Sequence, residues 1–139
     1  MRILKENPHS AEKLGESAFK SWAKKEGAIE IIPKSRNGVG YDFKVKWKDR
    51  RNNRKKIGTF EVKGTKRKLG IPDMSVNEFK NYKLKADFIF VAGNVFGPGE
   101  NILYKIPRKA LTRKNLKLKK TYHIKLFQNE REMGRHRIF

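Results

Sequence analysis

Gly38-Val39-Gly40-Tyr41-Asp42-Phe43-Lys44-Val45-Lys46-Trp47 and Ile57-Gly58-Thr59-Phe60-Glu61-Val62-Lys63-Gly64-Thr65 are the two segments around which the chain is organised. Both alternate apolar and polar residues, the pattern of half-buried strands. Tyr41, Phe43, Val45 and Trp47 form the apolar set of the first. In the second, Phe60 and Val62 point one way and Thr59, Glu61 and Lys63 the other. Between them Asp49-Arg50-Arg51-Asn52-Asn53-Arg54-Lys55 is polar throughout and must turn. A hairpin centred near Asn52 places Asp42 opposite Val62, within one residue of both Glu61 and Lys63. An aspartate, a glutamate and a lysine then converge on one patch of sheet.

Working outward, residues 8 to 26 have helical periodicity. Asn7 or Ser10 can cap this helix, Pro8 suits its first position, and Gly27 ends it. Ala11, Leu14, Ala18 and Trp22 recur at helical spacing as a buried stripe, widened by Phe19. Glu12 and Glu16, four apart, stack on one flank of that stripe and can reach over a sheet edge. Ala28 to Ile32 reads as a strand closed by Pro33, and the loop 34–40 is rich in Lys, Arg, Asn and Gly. Gly38 and Gly40 point to a tight turn or a close backbone approach.

Downstream, the loop 64–74 begins with Lys66, Arg67 and Lys68. Ser75-Val76-Asn77-Glu78 fits a capping box opening a helix to about Leu84. Residues 86–92 are nearly all apolar, the composition of a buried central strand. Ile102 to Ile106 is a further strand, Pro107 to Leu111 a short helix, 116–120 a weak strand and 122–127 a last one. The expected fold is α/β: a mixed β-sheet flanked by helices, the long first helix and the 75–84 helix being its covers. A single domain spans 1–139, with its core in about 8–127 and a basic tail over 128–139.

Thirty-five Lys and Arg stand against 14 Asp and Glu, a net charge of +21. A field of that size works against compactness, which points to a polyanionic partner, nucleic acid first. There is no cysteine, so disulfides, thiolate-bound zinc and thiol catalysis are excluded. No apolar run has the length of a signal peptide or of a membrane span of about 20 residues. The expected location is intracellular, in the cytoplasm, away from membranes.

Two carboxylates facing one small volume repel unless a cation lies between them. A hard divalent ion such as Mg²⁺, with Mn²⁺ as substitute, takes oxygen ligands from one or two carboxylates, water and substrate phosphate. Asp42 and Glu61 are the candidate ligands, with the backbone carbonyl of Val62 as a third oxygen. Lys63, on the face of Glu61, can hold a water or hydroxide against a phosphate. The plain alternative is an exposed salt-bridge ladder on a strand. Three basic groups flank this patch in sequence: Lys34, Arg36 and Asn37; Arg50, Arg51, Arg54, Lys55 and Lys56; and Lys66, Arg67 and Lys68. They are the candidate phosphate contacts.

Gly15-Glu16 in the first helix, Gly40-Tyr41-Asp42, Glu61-Val62-Lys63-Gly64-Thr65, Ser75-Val76-Asn77-Glu78 and Asp87-Phe88-Ile89-Phe90-Val91 together resemble the PD-(D/E)XK nuclease superfamily. The nearest likeness is to its small branch that also occurs at the carboxyl end of plant NO VEIN proteins. It covers about residues 11 to 106. The family's proline before the first acid is replaced by Tyr41, and Pro72-Asp73 with Glu78 and Lys80 is a decoy, because Glu78 and Lys80 diverge on a helix. The resemblance implies a restriction-endonuclease-like sheet, Asp42 and Glu61 as metal ligands, Lys63 as catalytic lysine and Glu16, rather than Glu12, as the helix carboxylate that completes the site.

The expected function is Mg²⁺-dependent DNA endonuclease, of restriction or homing type, acting as a homodimer on double-stranded or branched DNA. The alternatives are a structure-specific nuclease, such as a junction resolvase or repair enzyme, and a nucleic-acid-binding protein without catalysis.

Overall fold

A computed structural model describes residues 6–34, 40–48, 51, 54–68, 73–75, 85–111, 117–120, 123–125 and 130–139. The first helix, α1, is Pro8–Lys25. Asn7 is its cap: the Asn7 side chain accepts from the Ser10 amide at 3.0 Å, and the Ser10 hydroxyl accepts from the Asn7 amide at 3.3 Å. Both candidate cap residues are therefore used, one as cap and the other as its reciprocal partner. Gly27, at φ 88°, turns the chain back beyond the helix end, a conformation glycine adopts without steric cost.

A five-stranded mixed sheet lies against α1. Its strands are β1 (Ala28–Pro33), β2 (Phe43–Lys48), β3 (Lys55–Gly64), β5 (Phe88–Gly93) and β6 (Ile102–Pro107), in the spatial order β1-β2-β3-β5-β6. Only β3 and β5 are parallel; the other neighbours are antiparallel. The α/β architecture expected from the alternating stretches is thus present. A second, three-stranded sheet has the order β4-β8-β7, from β4 (Asp73–Ser75), β7 (Lys117–Lys120) and β8 (His123–Lys125). Apart from Ser75, which closes β4, the expected 75–84 helix lies outside the described residues.

The hairpin register differs by one residue from a turn centred on Asn52. Phe43 pairs with Phe60, Val45 with Gly58 and Trp47 with Lys56. Directly paired residues share a face, so the two apolar sets must pair with each other. A one-residue slip would bury Glu61 against Phe43.

The sheet separates two apolar clusters. On the α1 side are Phe19, Phe43, Val45, Phe60, Val62, Phe90 and Ala92. Phe19 is the centre of this cluster, with ring centroids 5.2, 5.0 and 5.1 Å from Phe43, Phe60 and Phe90. Of the expected stripe, Ala11 and Phe19 are buried and Leu14, Ala18 and Trp22 half-buried, with Ala18 and Trp22 packed against this cluster; Ala23 is buried in addition. On the other side are Ala86, Ile89, Val91, Tyr104, Ile106, Leu111 and Met133. Because β5 supplies residues to both clusters, its near-continuous apolar composition follows.

The carboxyl-terminal stretch is not a solvated tail. A helical turn, Glu130–Gly134, buries Met133 completely. The chain then runs along β6: the Ile138 amide donates to the Leu103 carbonyl at 2.8 Å, and the Lys105 amide donates to the His136 carbonyl at 3.0 Å. One methionine and backbone pairing suffice for this docking, and neither leaves an apolar period in the sequence.

The closest approach of α1 to the sheet is backbone on backbone. A Cβ on Gly15 would stand 2.9 Å from the Gly64 Cα, and a Cβ on Gly64 would overlap the Ala11 carbonyl. Only glycine fits at the end of β3. Gly64→Ala is expected to destabilise the fold by about 1–3 kcal/mol or more, since helix and strand must separate. Urea unfolding measures this, and a variant as stable as the wild type would contradict the packing.

Candidate active site

The end of β3 carries the candidate chemistry. Phe60 and Val62 face α1, so Glu61 and Lys63 point to the opposite side. Their side chains are 15% and 21% exposed, and the Lys63 ammonium lies 3.8 Å from Glu61 Oε1. Both are thus screened from bulk water while still open to a ligand.

Asp42 reaches the same place from the start of β2. Its amide donates to the Phe60 carbonyl at 2.8 Å, and its Oδ2 accepts the Val62 amide at 2.8 Å. The carboxylate therefore spans residues 60 to 62 of the neighbouring strand. It is almost wholly buried. Its other oxygen, Oδ1, lies 3.5 Å from the Lys34 ammonium, and the Lys34 amide donates to the Asp42 carbonyl at 2.8 Å. Lys34, expected as a phosphate contact, is thus bound to a candidate metal ligand. Of Val62, the amide is the group engaged with Asp42.

Glu16 is the residue after Gly15, so the glycine contact that seats α1 on β3 also brings Glu16 in. Glu16 is half-buried and Glu12 is exposed. Burial pushes the Glu16 carboxyl above the ordinary range, the charges of Glu12 and Asp42 push it further, and Lys20 and Lys34 oppose the rise. Asp42 is among the charges that act on Glu16, after burial and Glu12.

Among the described residues, no three His, Cys, Asp or Glu side chains close around one point. Mg²⁺ does not require that. It keeps several waters and is commonly held by one or two carboxylates plus substrate phosphates. The donor set fits it: hard carboxylate oxygens from Asp42 and Glu61, with a third acid, Glu16, whose proton affinity is raised partly by Asp42.

The basic groups divide. The backbone of 65–68 is pinned to the sheet: the Thr65 amide donates to the Ala92 carbonyl, the Asn94 amide to the Arg67 carbonyl and the Tyr104 hydroxyl to the Lys68 carbonyl. Lys66, Arg67 and Lys68 are exposed, and Lys66 pairs with Glu6 at 2.9 Å. Arg51, Arg54, Lys55 and Lys56 are exposed at the other end of the hairpin. From Lys55 to Glu61 an extended strand covers about 20 Å, so the hairpin tip neighbours the site in sequence and stands well away from it in space. Arg36, Asn37 and Arg50 lie outside the described residues.

Sequence reasoning passed over Lys44, Lys46 and Lys48. They alternate along β2 with Phe43, Val45 and Trp47, and pair with Thr59, Ile57 and Lys55. Their side chains follow one another every ~6.8 Å along the strand, on the side that carries Glu61 and Lys63. They fill the span between the tip and the site. Lys46 also pairs with Glu30 at 3.7 Å. The signal was present in the alternation, whose polar half was left unread.

Two stability measurements probe this geometry. Asp42→Ala leaves the buried Val62 amide without its acceptor and is expected to lower stability by about 1–3 kcal/mol, whereas Asp42→Asn keeps an oxygen there and stays close to the wild type. Equal stability of the alanine variant would show that the bond contributes nothing. For Glu16 the folded pKa lies above the unfolded one. Folding is therefore penalised once the group ionises, and stability falls as pH rises through the unfolded value toward the folded one. Glu16→Gln is expected to melt higher than the wild type at neutral pH and to lose that advantage in acid. A constant difference across pH would contradict the assignment.

No family model, curated protein or solved structure matches this chain.

Proposed function

We propose that this protein is a Mg²⁺-dependent endonuclease that hydrolyses phosphodiester bonds in DNA, built on a restriction-endonuclease-like sheet. The observation that carries the reading is the Asp42 carboxylate held on the Val62 amide, with the Glu61–Lys63 pair on the same stretch of β3, beside a row of strand lysines.

Asp42, through Oδ1, and Glu61 would hold the ion, with Mn²⁺ as a substitute. When bound, it supplies a polarised phosphoryl oxygen and a bound water of lowered pKa. The remaining work falls to the chain's own groups. The Val62 amide fixes the Asp42 carboxylate, so that one oxygen stays directed at the site. The Lys63 ammonium, on the face of Glu61, steadies the attacking water or hydroxide and the charge that develops on the phosphate. Glu16, whose carboxyl burial pushes above the ordinary range, takes a hydrogen bond from water at the helix side of the site. Lys44, Lys46 and Lys48 hold successive phosphates of one strand, and Lys66, Arg67 and Lys68 reach the duplex beyond the scissile bond.

The reading is of a restriction or homing enzyme, with a junction resolvase or repair nuclease as the alternative. Cleavage of both strands calls for two such centres, hence a homodimer. Among the described residues no helix is long and apolar enough to cross a membrane.

A second reading, a DNA-binding protein without catalysis, is favoured by one observation: both strand carboxylates already have lysine partners. The two readings part on incubation with supercoiled, linear and branched DNA, in Mg²⁺ and in chelator. The nuclease reading expects Mg²⁺-dependent cleavage that falls by about a hundredfold or more in Lys63→Ala and Glu61→Gln. Retained activity in both variants would remove the site assignment. Binding without cleavage of any substrate would establish the second reading.

A further inference from the structure

Asp42 has one oxygen left to offer a ligand. Its Oδ2 is committed to the Val62 amide at 2.8 Å. The other oxygen, Oδ1, faces the Lys34 ammonium at 3.5 Å, so the position a cation would take is held by a side chain of the protein itself.

The two halves of Lys34 are held differently. Its backbone is fixed to Asp42 by the 2.8 Å bond from its amide to the Asp42 carbonyl. Its side chain is 41% exposed. The ammonium sits on a flexible four-carbon stem, is strongly hydrated, and can leave Oδ1 without movement of the main chain. Lys63 differs: it stands two residues from Glu61 on the same strand, its side chain only 21% exposed.

We propose that Lys34 is an internal counter-ion that occupies the cation position at Asp42 in the free protein and is drawn off by a backbone phosphate of the bound nucleic acid. This rests on the metal-site reading above and adds its regulation. An ammonium and a divalent ion compete for one oxygen, so the free protein binds the ion weakly. A phosphodiester offers Lys34 another anion and opens Oδ1. Binding of nucleic acid and of metal then favour each other, and by linkage each strengthens the other by the same factor. Among the many phosphate contacts available to a chain of net charge +21, this one couples binding to readiness for chemistry.

The test is Mn²⁺ binding to the full chain without DNA, by calorimetry or by loss of the free-ion paramagnetic resonance signal. Lys34→Met, with Lys34→Gln as a second variant, is expected to bind Mn²⁺ about tenfold tighter than the wild type, because a unit charge some 4 Å from a dication is removed. Lys34→Arg keeps the charge and stays near the wild type. Lys109→Met, an exposed lysine on the turn after β6, reports the effect of net charge alone and is expected to change little. A short non-cleavable phosphorothioate duplex is expected to tighten Mn²⁺ binding more in the wild type than in Lys34→Met. Wild-type affinity in both neutral Lys34 variants, with weakened binding in Asp42→Asn, would overturn the counter-ion role and leave the metal site standing. Equal tightening in Lys109→Met would also overturn it. Wild-type affinity in Asp42→Asn would overturn the metal site itself, and the proposal with it.

Discussion

The contact between Gly15 and Gly64 sets the position of everything that follows. Two residues without side chains let the backbone of α1 come against the last residue of β3. A helix packed at ordinary distance would hold Glu16 a side chain's width away from the strand. The same contact fixes the end of β3, where Glu61 and Lys63 stand. Asp42 is then tied in by a separate device, its carboxylate on the Val62 amide. The site is thus assembled from three chain segments by one backbone contact and one buried hydrogen bond. Each segment is anchored by apolar side chains pointing the other way: Phe19 on the helix, Phe43 on β2, and Phe60 and Val62 on β3.

The electrostatics follow from that assembly. In a chain of net charge +21, the Asp42 and Glu61 carboxylates beside the carboxyl end of β3 are an exception. Burial raises the proton affinity of Glu16, and the charges of Glu12 and Asp42 add to the rise. In the free protein lysines pair with the two strand-side acids, Lys34 with Asp42 and Lys63 with Glu61. In the proposed reading, a dication takes this place once one of those ammonium groups has another anion to meet. The surrounding positive surface makes a phosphate backbone the natural source of that anion.

Much of this was legible because strand alternation and helix capping are local. The capping pair at Asn7 and Ser10, the apolar face of β3 and the doubly buried β5 all follow from spacing alone. The hairpin register needed one further step, matching the apolar sets of the two strands; counting from the middle of the polar turn misses it by a residue. The docked carboxyl terminus was hidden because Met133 is a lone apolar residue among charges and the remaining bonds are backbone ones. The lysines of β2 were visible but read only as the polar half of a strand, since sequence does not say which solvent face a site occupies. The separation of the hairpin tip from the site was equally hidden: residues adjacent in a loop diagram lie at opposite ends of a ten-residue strand.

The central claim is that Asp42 and Glu61 share a hard divalent ion at the end of β3. Anomalous scattering from crystals grown with Mn²⁺ and a short non-cleavable duplex tests it most directly. The account predicts one peak about 2 Å from Asp42 Oδ1 and from a carboxylate oxygen of Glu61, with the Lys34 ammonium displaced onto a phosphate. A structure in which DNA is bound, Mn²⁺ lies elsewhere and Lys34 remains on Asp42 would contradict it.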